Sequence, residues 1–358
     1  MFESKIVFFG EFPPKVCHGI SLSNERILNV LCPFFHVVKL EDRSSFGGFF
    51  SKLFSFFYSS IRLIFLSFFK IDIYYTNFPM SSLGLWKVYV SVLIVGFFSP
   101  RVKIISHLHR GDLLDFIKVD KNRKLFDRFV SRIDFILVLS ESSESDINEL
   151  LPFNNVVVRV VRNTIKLESE YNVRDVDFLN RRFYCLCNYI SSKRIHSMVS
   201  IANYYPNFSV DFNGVFSSND YMEKLKKLDV NNVCNFGGVV SGQDKETKLR
   251  CAKALVLPSL NEGMPLVILE SLAQGTPVIC FNIGYISEYL GENYPGLVKE
   301  LTDEAFREKM DWLNQLPEDD YKNLRDLSYS VFWENYSPDK VNENILSVFQ
   351  DCIDQSSI

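Results

Sequence analysis

Short apolar runs of β type alternate with helical stretches along nearly the whole chain, and halfway the alternation starts again. The first series places strands at Ile6–Phe9, His36–Leu40, Ile71–Tyr75, Val102–His107, Phe135–Leu139 and Val156–Val161. After a polar stretch from Lys166 to Arg182, a second series places them at Phe183–Cys187, Ser209–Phe212, Val233–Phe236, Ala254–Leu257 and Pro277–Cys280. Continuous apolar strands separated by helices are those of parallel sheets covered on both faces. Two such series predict an α/β chain of two doubly wound, Rossmann-like domains that face each other across an interdomain cleft. The expected domains are 1–163 and 164–332, with 333–358 as a C-terminal helix able to cross back to the first domain.

The length of 358 residues suits two domains, and 47% hydrophobic with 23% charged residues is a globular balance. The net charge of −4 argues against nucleic acid as a partner, but the charge is unevenly placed. Residues 1–163 carry 20 Lys+Arg against 15 Asp+Glu (+5), and residues 164–358 carry 19 against 28 (−9). The eight cysteines form no C-x-x-C pair and no zinc spacing, which reads as core thiols in a reducing compartment. Met1 to Phe9 reads as the approach to a strand rather than a secretory leader. Leu53–Phe69 contains Arg62 and serines, and Val88–Phe98 falls well short of the ~20 residues of a membrane span, so both are expected as helices packed on a sheet.

Ligands of open α/β sheets bind beyond the carboxyl ends of the strands. That rule directs attention to Gly10–Ser21, His107–Asp112, Cys187–Arg194, Gly237–Lys245 and Pro258–Glu270. The last is the most informative. A strand ends at Leu257, a polar loop follows, and a helix is expected near Pro265, because proline suits the first helical position. Gly263 and Met264 would then place free backbone amides at the positive end of the helix, an anion site suited to a diphosphate. Glu262 stands on the loop and Glu270 about one and a half turns into the helix. A carboxylate can accept two hydrogen bonds from a vicinal diol, so these acids suit a sugar and a ribose. The eight-residue spacing alone says nothing, since Glu3/Glu11 and Glu141/Glu149 share it. The ordered string does: strand, Pro-Ser, Glu-Gly, Pro at the helix start, a second Glu, small residues, then Gly-Thr-Pro-Val.

That string resembles the donor-site signature of glycosyltransferase family four, the retaining enzymes also called glycosyl transferases group 1. The resemblance spans roughly residues 4–300 and is densest over 183–290. In that family the first strand of the second domain ends in Gly-Arg, with a lysine five residues beyond the arginine, and both side chains touch donor phosphates. Here Lys193 holds the lysine position and Asn188 the arginine position. The resemblance further implies that His109, past a strand end in Ile105-Ser-His-Leu-His-Arg-Gly-Asp112, lies near the transferred sugar, and that Gly19 lets backbone approach the donor. The implied set is therefore His109, Glu262 and Lys193 for catalysis. Gly19, Asn188, Lys193, Gly263, Met264, Pro265, Leu266 and Glu270 would bind the donor, with no metal and no other cofactor. Asp175-Val-Asp177, the sole D-x-D, lies in the linker, not at a strand end.

The family likeness implies transfer from a UDP- or GDP-sugar to a glycan or lipid-linked glycan, in surface polysaccharide synthesis. Two other readings stay open: a nucleotide-sugar epimerase of similar build, and a non-catalytic nucleotide-binding subunit, which Asn188 favours. Residues 118–133 are expected as a basic amphipathic helix. Lys121, Lys124, Arg128 and Arg132 form its stripe beside Leu125, Phe126, Phe129, Val130 and Ile133. It is either an ordinary solvated face or a contact with an anionic membrane, which gives a cytoplasmic chain, peripheral on the inner face of the plasma membrane.

Overall fold

The computed structural model describes residues 4–16, 18–42, 49–151, 155–168 and 181–354. The Asp175-Val-Asp177 motif lies outside them. The chain divides into one unit of residues 1–163 with 339–358 and a second of 164–338.

The first unit runs β1 (Lys5–Gly10), α1 (Gly19–Leu31), β2 (His36–Glu41), α2 (Phe49–Ser67), β3 (Ile73–Asn77), α3 (Ser82–Phe98), β4 (Lys103–His107), α4 (Leu113–Ile117), α5 (Asp120–Val130), β5 (Phe135–Val138), α6 (Glu141–Leu150) and β6 (Val157–Val160). Its six strands lie in the order β2-β1-β3-β4-β5-β6, every neighbour parallel. Alternation along a strand sends successive side chains to opposite faces, so β1 feeds two cores. Val7 and Phe9 join one core with α3 and α5, while Ile6 and Phe8 join the other.

The second unit runs β7 (Arg182–Leu186), α7 (Ile195–Ala202), β8 (Ser209–Asn213), α8 (Asn219–Leu228), β9 (Cys234–Gly237), α9 (Gly242–Arg250), β10 (Ala254–Leu257), α10 (Leu266–Ala273), β11 (Val278–Phe281), α11 (Ile286–Leu290), β12 (Leu297–Val298), α12 (Asp303–Gln315) and α13 (Glu318–Asn335). The final helix, α14 (Pro338–Asp354), returns to the first unit, where Val341, Ile345, Val348, Phe349 and Cys352 fill the core beside Ile6 and Phe8.

The second sheet is ordered β12-β11-β10-β7-β8-β9, again all parallel. Counted from β7, this is the 3-2-1-4-5-6 order of dinucleotide-binding sheets. The doubly wound α/β class expected from the alternation is thus observed in both units. The order reverses between β7 and β10, the switch point beyond which such sheets bind ligands. In the first sheet the reversal lies between β1 and β3. One strand escaped the sequence reading: Leu297–Val298 is two residues long, too short for a period to register. The helix expected over 118–133 is shorter, Asp120–Val130, with α4 before it.

Candidate functional site

In the second unit, the two strands at the switch point deliver the two segments singled out in the sequence. β7 is held by Phe183, Tyr184 and Cys185, all buried. Beyond it the chain makes a 3-10 turn, Ser191–Lys193, closed by Arg194 in the left-handed region (φ 51°, ψ 35°). A non-glycine residue held there is strained, and the fold holds it with an Arg194–Asp303 ion pair at 2.5 Å and the Phe281 ring 5.6 Å away. This fixes the direction of the neighbouring Lys193. Its Nζ donates to Glu262 Oε1 at 2.6 Å.

Glu262 comes from the loop after β10, and its side chain is only 9% exposed. Gly284, with φ of +53°, lies against the same loop: a Cβ there would sit 3.2 Å from the Glu262 carbonyl oxygen. The sequence reading gave Gly284 no role, since positive φ has no signature beyond the glycine itself.

Helix α10 begins at Leu266 rather than at Pro265, which is its N-cap (φ −66°, ψ 122°). The Pro265 carbonyl already accepts from Ile268 N at 3.0 Å while its own backbone is extended, which defines a cap. The amides without intrahelical acceptors are therefore those of Leu266 and Val267. Gly263 and Met264 stand one step earlier, in the loop, and Met264 is buried. Glu270 lies further along α10, where its Oε1 accepts from Lys245 Nζ at 2.7 Å. Lys245, on α9, is a partner that sequence reasoning missed. The Tyr184 hydroxyl is buried with no hydrogen-bond partner among the described residues. Burial pushes its phenol up, and Asp244, Asp211 and Glu270 add to the effect.

Asn188 is differently employed. Its Oδ1 accepts from Val215 N at 3.2 Å, tying the end of β7 to the next loop. That loop packs so closely that a Cβ on Gly214 would lie 2.1 Å from the Cys187 carbonyl oxygen.

The remaining two residues lie in the first unit. Gly19 opens α1, capped by His18, whose Nδ1 accepts from Ser21 N at 3.3 Å. His18 Nε2 lies 2.7 Å from Glu11 Oε2. A Cβ on Gly19 would meet nothing within 4 Å, so no protein atom requires glycine there. His109, just past β4, is buried, and its Nε2 has no partner among the described residues. Its ring centroid is 4.0 Å from that of His107, whose Nδ1 is 2.7 Å from the Tyr75 hydroxyl. Burial, with the nearby His18 a smaller cause, holds the His109 imidazole down to about 3, so it is neutral at ordinary pH. Burial likewise holds His107 well below the usual range.

The structure thus brings Lys193 to Glu262 and Lys245 to Glu270 within one unit, one lysine–carboxylate pair on the loop ahead of α10 and the other on α10 itself. Such a set can neutralise a diphosphate with its cations and amides, and hold hydroxyls with its acids.

Residues 191–329 match the model of the family described as glycosyl transferases group 1. A putative teichuronic acid biosynthesis glycosyltransferase, TuaC of Bacillus subtilis, is 32% identical over 100 residues, covering 25% of this chain and 26% of the relative. The chain therefore matches only about a quarter of that relative's length. Sucrose-phosphate synthase from Thermosynechococcus elongatus has the same fold, with a TM-score of 0.78 at 13% identity over 98% of this chain and 99% of the other. Anabaena HepE in complex with UDP-glucose has a TM-score of 0.73 at 15% identity, over 97% and 99%. The fold is that of the B-type glycosyltransferases with two Rossmann-like domains.

Proposed function

We propose that this chain is a retaining glycosyltransferase that moves a sugar from a UDP- or GDP-sugar to a glycan or lipid-linked glycan, in surface polysaccharide synthesis. The observation that carries the reading is the Lys193–Glu262 pair at 2.6 Å, beyond the switch point and just ahead of the α10 N-terminus. A diphosphate leaving group needs positive charge where negative charge develops, and Lys193 with the amides of Leu266 and Val267 supplies it without a metal. Glu262 accepts hydroxyls of the transferred sugar, and Glu270, held by Lys245, accepts those of the ribose.

In the transfer, the bond from the anomeric carbon to the diphosphate breaks and the leaving group takes the electron pair. The acceptor hydroxyl forms the new bond on the same face, and its proton passes to the leaving phosphate oxygen. His109 of the first unit has a neutral imidazole whose Nε2 lacks a partner among the described residues, a group able to hold a sugar hydroxyl. UDP-glucose in HepE and the teichuronic acid assignment of TuaC support the choice of donor and of pathway class. A lipid-linked acceptor puts the chain peripherally on the cytoplasmic face of a membrane.

Donor alone, donor with acceptor, and nucleotide alone separate the readings. Nucleoside diphosphate released only with acceptor supports transfer. Full-rate release or epimerisation of sugar from donor alone identifies an epimerase. Tight nucleotide binding without any turnover identifies a non-catalytic subunit, the reading that the structural use of Asn188 favours.

A further inference from the structure

Helix α2 is amphipathic the wrong way round for a water-facing helix. Ser55, Ser59, Leu63 and Ser67 recur every fourth residue and face inward, with Ser67 only 2% exposed. Beneath them lie the Lys87–Asp42 ion pair and the Tyr74–Ser91 hydrogen bond at 2.8 Å, a polar bed for a crossover helix. The outward stripe is Phe50, Phe54, Phe57, Ile61, Phe65 and Phe68, with Phe50 83% exposed. Scattered exposed apolar residues are ordinary, but a contiguous face of this kind marks an interaction surface.

The face continues onto α3. Phe56 lies 5.7 Å from Trp86 at one end, Phe68 lies 5.2 Å from Phe98 at the other, and Phe97 is 80% exposed. The chain along it is mostly basic: from Lys52 to Arg101 it has Lys52, Arg62, Lys70, Lys87 and Arg101 against a single acid, Asp72, with Lys70 paired to Asp72 and Lys87 to Asp42. Helix α5 lies beside α3, joined by Ser82 Oγ to Asn122 Oδ1 at 2.6 Å, and its exposed Lys121, Lys124 and Arg128, with Arg132 just beyond its end, outnumber its exposed Asp120 and Asp127. None of the described helices is long and apolar enough to cross a membrane.

We propose that the outward face of α2 and α3 docks on an anionic lipid bilayer, its aromatic side chains entering the interface and the basic residues around it meeting lipid phosphate. An aromatic, apolar face rimmed by cations matches a lipid interface. An interface with a second copy of the chain would set these like charges against each other. A single weak anchor is reversible, and the combination of apolar insertion with a basic rim supplies the two attractions that stable binding needs. The surface belongs wholly to the first unit and binds without donor, so its failure leaves the proposed transferase standing.

The test is co-sedimentation of the full chain with vesicles of phosphatidylcholine alone and of phosphatidylcholine mixed equally with phosphatidylglycerol. Binding is expected to the mixed vesicles and to fall at least about tenfold in Phe54→Ser/Phe57→Ser/Phe65→Ser, which changes only exposed side chains. Should that variant not fold, Trp86 fluorescence reports on the native chain. Brominated lipid should quench it, and Trp86→Phe should remove the quenched signal. Unchanged binding of the folded triple variant, no quenching of Trp86, or a dimer that the triple substitution dissolves in place of vesicle binding would each overturn the proposal. So would loss of binding only on changing Lys121, Lys124, Arg128 and Arg132 to Gln, which makes the basic stripe the anchor.

Discussion

Lys245 Nζ and Glu270 Oε1 are 2.7 Å apart, joining the first turn of α9 to the middle of α10. The lysine is 23% and the glutamate 15% exposed, so the carboxylate has lost most of its water and is held in orientation by this partner.

Removing the lysine is therefore expected to act through the acid. Lys245→Ala should cost about 1–3 kcal/mol of stability, allowing for residual solvent. It should also weaken nucleotide binding about tenfold, the scale of one hydrogen bond to a charged group. In a Glu270→Gln background the same change should cost much less. Titration calorimetry on the four proteins measures the coupling. Additive losses would show that Lys245 does not act through Glu270.

At the other pair, Glu262→Gln is expected to depress turnover more than donor affinity, because the proposed transfer sets Glu262 against the sugar that gains charge. Lys193→Gln should lower turnover by about a hundredfold or more, the scale of losing one preorganised stabilising group. Steady-state rates with saturating donor check both. A Glu262→Gln enzyme with normal kcat and raised KM would reverse the assignment.

His109 gives a pH dependence of known sign. Its folded value, about 3, lies below the ordinary imidazole value of about 6.5, so the folded chain binds fewer protons than the unfolded one. The contribution to stability is full above the unfolded value and is lost as pH falls from about 6.5 towards 3, on the order of a few kcal/mol. Melting temperatures of the wild type and His109→Gln, compared from pH 7.5 down to about 5, should converge as the wild type loses this term. Parallel curves would contradict the buried neutral state.

Chelation is expected to leave turnover unchanged, since in the proposed transfer Lys193 and the α10 amides carry the charge that a metal supplies elsewhere. Activity lost on adding EDTA and regained with a divalent ion would contradict that part of the reading.

Much of this was legible in the sequence because the informative signals are local. Alternating strands and helices gave the fold class, and the ordered string from Pro258 to Val278 marked the segment beyond β10. Pro265 was placed one residue too far into its helix, because a proline is equally at home at the cap and in the first turn, and only the ψ angle separates them. Lys245 and Gly284 were missed since each is defined by tertiary neighbours, Glu270 for one and the Glu262 backbone for the other. The helical character of α2 was readable, but its direction was not. Phenylalanine and serine both recur at helical spacing there, and the side facing inward is set by the polar ground beneath it.

The proposed donor site is tested most directly by nucleotide binding to the second unit. Titrating UDP and GDP into the wild type, Lys193→Gln and Glu270→Gln decides it. One nucleoside diphosphate should bind the wild type, and each variant should bind it about tenfold or more weakly, as expected for a lost charged contact. If neither nucleotide binds, or both variants bind as the wild type does, the site beyond β7 and β10 is not a donor site.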